Sequence, residues 1–346
     1  METVRGTKKN LLHRLIQARA ADSHVGIALV LLLLVIVQTL VLGFDYGSFG
    51  QWFTAWFRNW VNILRNNAGV GIVALGMTFV IITGGIDLAV GSTLVATGAV
   101  IMTLIDTGAT GILGQMGIAG APAYATAVVI ALVMGYVLGT GIGLLITKGR
   151  IAPFIATLGA MKIFRSVTQH FMQGYNPRVP RGFLQISNLQ MGGLMFMPIL
   201  YWVIIALVLH YVSRRTTFGR QVIAVGSNER AAQLSGVNVG RVKTRVYSLM
   251  GILVAIASIV QVARIGSMDY ANAGSGMEMD AIAAAVVGGT SMAGGRGTIL
   301  GTFMGMLIIA VMNNLLNLFG VPPFLREAFK GLIVVLAVLL QRKQMT

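Results

Sequence analysis

Long apolar runs alternate with short polar or basic stretches along this 346-residue chain. The run VGIALVLLLLVIVQTLVLG at 25–43 carries no charge over about the twenty residues that a helix needs to cross a bilayer. We therefore predict an all-α integral membrane protein with about ten transmembrane helices. The predicted spans are 25–43, 66–83, 90–105, 122–147, 152–172, 196–212, 246–264, 280–292, 297–319 and 324–341. The eighth is too short to cross a hydrocarbon core of about 30 Å, so some helices are expected to be broken.

The composition fits a membrane protein, because 56% of the residues are hydrophobic and only 10% are charged. The net charge of +16 raises the question of nucleic-acid binding, but the position of the basic residues argues against it. Seventeen lysines and arginines fall in the predicted inner segments 1–24, 148–150, 213–245, 292–297 and 341–346, against four in the outer loops. This bias places both termini in the cytoplasm. We expect a cytoplasmic basic segment at 1–24, one polytopic transmembrane domain at 25–346, and lipid rather than nucleic acid as the surroundings.

Counting the spans suggests an internal symmetry. Five predicted spans precede the outer loop 173–195 and five follow it, so repeated halves would form a 5+5 inverted repeat. The two halves share no clear sequence identity, so the repeat is inferred from the number of spans alone. The aromatic segment FDYGSFGQWFTAWFRNW at 44–60 is expected at the outer interface, either as a loop of packed rings or as an interfacial helix.

A polar break interrupts the membrane region at ITGGIDLAVGS, residues 82–92. Its candidate gating or translocation residues are Gly84, Gly85, Asp87 and Ser92. Backbone that leaves the helix at membrane depth must be buried in protein or line a cavity. A second break, GGTSMAGGRG at 288–297, is its expected partner. Asp87 is interpreted first as a cap on the next helix, and otherwise as a gate, an ATPase contact or a sugar contact.

The roles of several other polar residues and of two runs of glycine each allow two interpretations. Asn313 and Asn317 share one face of the ninth span and are candidates for the translocation path or for bonds between helices. Thr157, Lys162 and Arg165 on the fifth span are further candidates for the translocation path, and Lys162 and Arg165 could instead snorkel to the outer face. Two runs of G-x-x-x-G spacing predict close helix packing, within the chain or across a subunit interface. These runs are Gly135, Gly139, Gly143 and Gly297, Gly301, Gly305.

The largest inner loop, 213–245, contains a candidate docking helix. Ser227 and Asn228 can cap a helix that begins at Glu229, whose acid favours the positive end of the helix dipole. Gly236 is suited to end the helix after about two turns. The other residues expected to couple to a partner are Arg230, Ala231, Ala232 and Ser235. An ordinary solvated loop is the alternative.

The segment GRQVIAVGSNERAAQLSGVNV at 219–239 resembles the coupling loop of the ribose-type ABC importer permeases. GGIDLAVGS at 84–92, PFIATLG at 153–159 and MDAIAAAVVGGTSMAGGRGT at 279–298 resemble further segments of that family, in family order. The resemblance covers about 66 to 341. Ala89 stands where the family usually has serine.

The resemblance implies a permease subunit of the bacterial inner membrane that carries a monosaccharide. Its implied partners are a second permease copy, two cytoplasmic ATPase subunits or a fused tandem ATPase, and a periplasmic sugar-binding protein. The sequence holds no G-x-x-x-x-G-K-[ST] motif, so no cofactor is expected on this chain, and ATP and Mg are expected in the partner subunits.

Enzyme catalysis within this chain is not expected. It has no cysteine, and its four histidines lack the spacing of metal ligands. The alternatives in the same family are a nucleoside or a sugar-like signal as cargo. A stand-alone secondary transporter would need an ion-binding acid in the membrane, for which Asp87 and Glu327 are the candidates. A passive channel would need a filter motif, and none is apparent.

Overall fold

The computed structural model describes residues 23–43, 46–108 and 111–342, which form fourteen helices and one small hairpin. The helices are α1 (Ser23–Leu42), α2 (Phe49–Ile82), α3 (Val90–Ile105), α4 (Ile112–Gln115), α5 (Ala121–Thr147), α6 (Pro153–Met172), α7 (Arg181–Asn188), α8 (Met197–Arg215), α9 (Thr217–Ser227), α10 (Glu229–Leu234), α11 (Val239–Ile265), α12 (Met277–Val287), α13 (Ile299–Leu318) and α14 (Pro323–Arg342). Strands β1 (Gln190–Met191) and β2 (Leu194–Met195) pair antiparallel, with Gln190 opposite Met195. The predicted cytoplasmic segment 1–24 lies almost wholly outside the described residues.

A helix lies at each of the ten predicted spans, and α3 coincides with the predicted 90–105. The nearly all-helical structure fits the predicted class. Among the described helices, five are long and apolar enough to cross a membrane, namely α2, α5, α8, α11 and α13. The count of ten crossings and the inverted repeat therefore stay predictions.

Helix α2 begins at Phe49, well before residue 66, where the second span is predicted to start. The described part of the aromatic segment runs into this helix, so the helical alternative is the observed one. Trp52 stacks on Trp56 with ring centroids 6.4 Å apart, and Trp56 lies 6.1 Å from Trp60. Side chains four positions apart lie on the same face of a helix, so these neighbouring rings stabilise the helical conformation.

The core is organised around α11, which packs on α5 through glycine. Gly251 of α11 lies directly against the backbone of Gly135, and Gly139 approaches the same turn of α11. A side chain at any of these positions would overlap backbone atoms of the facing helix. Thr140 and Ser248 share a hydrogen bond of 2.7 Å beside this contact. The first glycine run therefore serves packing within the chain.

The second glycine run joins α12 to α13. Gly301 lies against the backbone of Gly288, and Gly305 lies against the Ala284 carbonyl oxygen. These contacts also lie within one chain. They hold the two helices together on either side of the second break.

Replacement of Gly139 by leucine is expected to separate α5 from α11, because its side chain would overlap the Tyr247 carbonyl oxygen. Overpacking of this kind costs about 1–3 kcal/mol or more. The measurement is the thermal midpoint of the detergent-purified protein, followed by size-exclusion chromatography, and the midpoint should fall. Gly141→Leu is the matched control, since Gly141 has open space around it on the same helix. Equal losses in the two variants would contradict this packing.

Candidate coupling and gating site

The short helix α10 forms where the sequence predicts it. The Asn228 side-chain oxygen accepts a hydrogen bond of 2.9 Å from the Ala231 N–H and so caps the first turn. Glu229 is the first helical residue, where its acid favours the dipole. Gly236 follows the helix with a φ of +84°, a left-handed conformation that glycine adopts without strain. At this end of the helix the Val237 N–H donates a hydrogen bond to the Ala232 carbonyl oxygen.

Two details of the predicted loop 213–245 are wrong. The segment is mostly helical, since α8, α9, α10 and α11 together cover most of it. Ser227 does not cap α10, because it is the last residue of α9 and leaves that role to Asn228. Ser235 instead donates a hydrogen bond of 2.9 Å from its hydroxyl to the Ala231 carbonyl oxygen.

Helix α10 presents most of its surface to the exterior. Ala232 is its one buried residue, and Leu234 is 84% exposed. A cavity of about 770 Å³ lies beside the helix, lined by residues that include Arg230, Leu234 and Val237. Leu234 and this cavity are therefore accessible to a partner from the predicted cytoplasmic side.

Glu229 is tied to the body of the protein. Its carboxylate forms an ion pair with the Lys243 ammonium group near the start of α11. The Glu229 side chain is 55% exposed, so the pair adds little stability. The pair is a direct contact between α10 and the first turns of α11.

Helix α9 joins this surface to both membrane breaks. Gly219 and Gly226 both lie within α9. Gly226 lies directly against the Ile82 carbonyl oxygen and close to the Gly295 N–H. The Gly295 N–H in turn donates a hydrogen bond of 2.9 Å to the Ile82 carbonyl oxygen. The predicted pairing of the two breaks is therefore observed, with α9 packed on the point where they meet.

The first break begins where Gly84 adopts a φ of +74° and ends α2. The N–H groups of Gly84 and Gly85 bond back to the Ile81 and Val80 carbonyl oxygens at 2.9 and 3.0 Å. The chain then runs without helix to α3, which begins at Val90. Glycine at position 84 is required because other residues rarely adopt this backbone conformation.

Asp87 is buried in this break, with 4% of its surface exposed. Its carboxylate accepts a hydrogen bond of 2.9 Å from the Ala89 N–H. It is not the N-cap of α3, because Ala89 holds that position without a side-chain bond. The carboxylate therefore closes a turn just before the helix, and Ser92 closes the next one by donating to the Ala89 carbonyl oxygen at 2.8 Å.

The Ile86 carbonyl oxygen inside the break is held by hydroxyl groups from two other helices. Tyr247 of α11 and Thr157 of α6 donate to it at 3.3 and 3.4 Å. Tyr247 was missed in the sequence, since a tyrosine within a long apolar run gives no local signal of its partner. Gly85, Asp87 and Ala89 of the break are therefore buried in protein, whereas Gly84 is exposed.

Asn313 and Asn317 lie away from both breaks, on the last turns of α13. Asn317 is exposed, whereas the side-chain oxygen of Asn313 is buried and accepts no hydrogen bond from the described residues. The structure does not bring these two residues together with Asp87. Their role in a translocation path stays a prediction.

Comparisons with known proteins agree on one family. A family model described as branched-chain amino acid transport system / permease component matches residues 59–338. The ribose import permease protein RbsC of Bacillus subtilis is 43% identical over 291 residues, covering 83% of this chain and 85% of that protein. RbsC of Escherichia coli K12 is 40% identical over 320 residues, covering 91% and 92%.

A more distant relative is the xylose transport system permease protein XylH of Escherichia coli K12, at 31% identity over 89% of this chain and 90% of that protein. The matched region contains both membrane breaks and the whole of α9 and α10. The chain therefore belongs to this family of transport-system permease components.

Proposed function

We propose that this chain is the transmembrane subunit of an ATP-binding cassette importer for a monosaccharide. The observation that carries the proposal is the capped, exposed helix α10, which the structure links through α9 to two broken membrane helices. The relatives named for ribose and xylose transport support a sugar as the cargo. A nucleoside or a sugar-like signal is the runner-up within the same family.

The proposed assembly has two permease copies in the bacterial inner membrane, with both termini in the cytoplasm. Two ATPase subunits, or one fused tandem ATPase, dock on α10 and hold the ATP and Mg. A periplasmic binding protein delivers the sugar to the opposite face. This chain contributes no catalytic step.

Motion would pass from the ATPase to the membrane through backbone contacts. A push on α10 displaces α9, because only Asn228 separates the two helices. Gly226 then presses on Ile82, the last residue of α2, and on Gly295, which lies within the second break. A shift at that point changes the relative population of inward-open and outward-open arrangements.

The structure offers little support for a stand-alone, ion-driven transporter. Glu327 forms an ion pair of 2.9 Å with Lys330, which also lies 3.1 Å from Asp280. An acid neutralised in this way is a structural ion-pair partner. Asp87 is engaged with the backbone of its own turn.

Leu234→Asp is expected to weaken docking of the ATPase, because it places a charge where an exposed apolar side chain would be buried. Loss of one such buried contact lowers affinity about tenfold or more. The measurement is the amount of ATPase subunit that co-purifies with the permease from detergent. Leu189→Asp is the matched control, because Leu189 is 45% exposed on the opposite, predicted outer face. Full co-purification with Leu234→Asp would contradict docking at α10.

Glu229→Lys is expected to uncouple ATP hydrolysis from uptake, because it replaces the ion pair with Lys243 by repulsion. The reversed pair, Glu229→Lys with Lys243→Glu, should restore coupling. The measurement is sugar taken up per ATP hydrolysed in proteoliposomes. The thermal midpoint should change little, since an exposed pair contributes about 1 kcal/mol or less. The proposal fails if both variants couple normally.

A further inference from the structure

Helix α6 is long enough to cross a bilayer but too polar to face lipid all around. Its 20 residues span about 30 Å, yet it is not among the described helices that qualify as apolar spans. Lys162 is near the middle of this helix, so its side chain is far from either end. Snorkelling to the outer face, one of the two roles that the sequence allows, does not suit a lysine at this position.

Three polar residues of α6 form one exposed stripe. Lys162, Ser166 and Gln169 are all exposed, and their spacing places them on one face of the helix. Ala156 and Ala160, on the other side, are buried within the protein. Lys162 forms no ion pair with any residue that the structure describes. A lone charge is costly in hydrocarbon, so this face meets water or a polar partner.

The segment 266–276, between α11 and α12, lies beside this stripe. The Arg165 guanidinium donates hydrogen bonds of 2.7 Å to the Ala273 carbonyl oxygen and 3.3 Å to the Tyr270 carbonyl oxygen. Arg165 is one turn from both Lys162 and Gln169. The bonds therefore place the segment next to the polar face of α6.

This segment returns into the membrane. Met268 packs on Gly98, and the Gly274 backbone lies directly against Gly91. Gly91 is fourteen residues from Ile105, the end of α3 that the charge distribution places outside, which corresponds to about 21 Å of helix. The segment thus descends along α3 from the outer side to well within the bilayer.

Irregular backbone at this depth is tolerated only if it is buried in protein or lines a water-filled cavity. Asn272 and Ser275 are exposed in the described chain. Asn272 also donates a hydrogen bond of 2.8 Å to Asp269, so its amide is oriented. Two independent features, a polar stripe on a helix and a polar segment re-entering beside it, therefore point to water at the same place.

We propose that Lys162, Ser166 and Gln169 of α6, together with Asn272 and Ser275, form one wall of a water-filled sugar pathway that opens to the outer face. This inference rests on the proposed function for the identity of the cargo. Amide, hydroxyl and ammonium groups suit an uncharged, polyhydroxylated ligand, whose hydroxyl groups both donate and accept hydrogen bonds. Arg165 is a positioning residue, since it holds the re-entrant segment against the helix.

The chain contains no cysteine, so single cysteines can test this wall in the whole transporter. Ser166→Cys, Gln169→Cys and Asn272→Cys are compared with Ile163→Cys and Val167→Cys, which replace exposed apolar residues of the same helix. A hydrophilic, membrane-impermeant methanethiosulfonate reagent is added from outside. Reaction at the first three positions should be faster than at the other two, because only the thiolate in water reacts.

Three results would overturn the pathway. They are slow reaction at all five positions, equal reaction at all five, and an intermolecular disulfide through Ser166→Cys, which would make the stripe a contact between copies. Ribose is the probe for occupancy, and during turnover it should slow labelling at positions 166 and 169.

Lys162→Met separates a pathway role from a structural one. It should lower the rate of sugar uptake about tenfold through loss of a charge-assisted hydrogen bond, while the thermal midpoint stays the same or rises. A fall in the midpoint with unchanged uptake would overturn the role. Fast labelling without any sugar uptake would remove the proposed cargo but leave the pathway in place, so the two proposals can fail separately.

Discussion

The structure depends on the absence of water from the hydrocarbon core, which obliges every backbone N–H and C=O group to find a partner within the protein. Where α2 and α12 end, the N–H groups of the first residues after each helix bond back into the same helix, and other partners come from other elements. The Gly295 N–H bonds to the Ile82 carbonyl oxygen, and hydroxyl groups from α6 and α11 bond to the Ile86 carbonyl oxygen. The breaks are therefore meeting points of several helices, and a displacement of one helix is felt by the others.

Glycine allows the helices to approach one another closely at these contacts. At Gly139, Gly251 and Gly226 the backbone of one helix lies directly on the backbone of another, with no side chain between them. Contacts of this kind give the van der Waals packing that drives helix association where the hydrophobic effect is absent. They also fix the distance between helices within narrow limits. The middle of the protein is thus closely packed, while part of α6 and part of the segment 266–276 are exposed.

The sequence was sufficient for features set by local pattern. Apolar runs located the helices, and Asn228 and Gly236 located the ends of α10, because caps act over three or four residues. It was insufficient where the partner is distant. Aspartate is a common helix cap, but Asp87 lies two positions before Ala89, the N-cap of α3. Lys243 lies fourteen residues from Glu229, a spacing at which no helical periodicity indicates a pair. Helix α2 begins at Phe49, earlier than its apolar run, and the stacked rings of its first turns lie on one face of this extension.

The contact of Gly226 with Ile82 and Gly295 has a mechanical consequence. A side chain at an interface can change rotamer and absorb part of a displacement, but a backbone contact has no such freedom. In the proposed importer, a rotation of α9 would therefore reach the end of α2 with little loss. Docking of the ATPase at α10 and rearrangement of the two breaks would then be coupled through this one backbone contact.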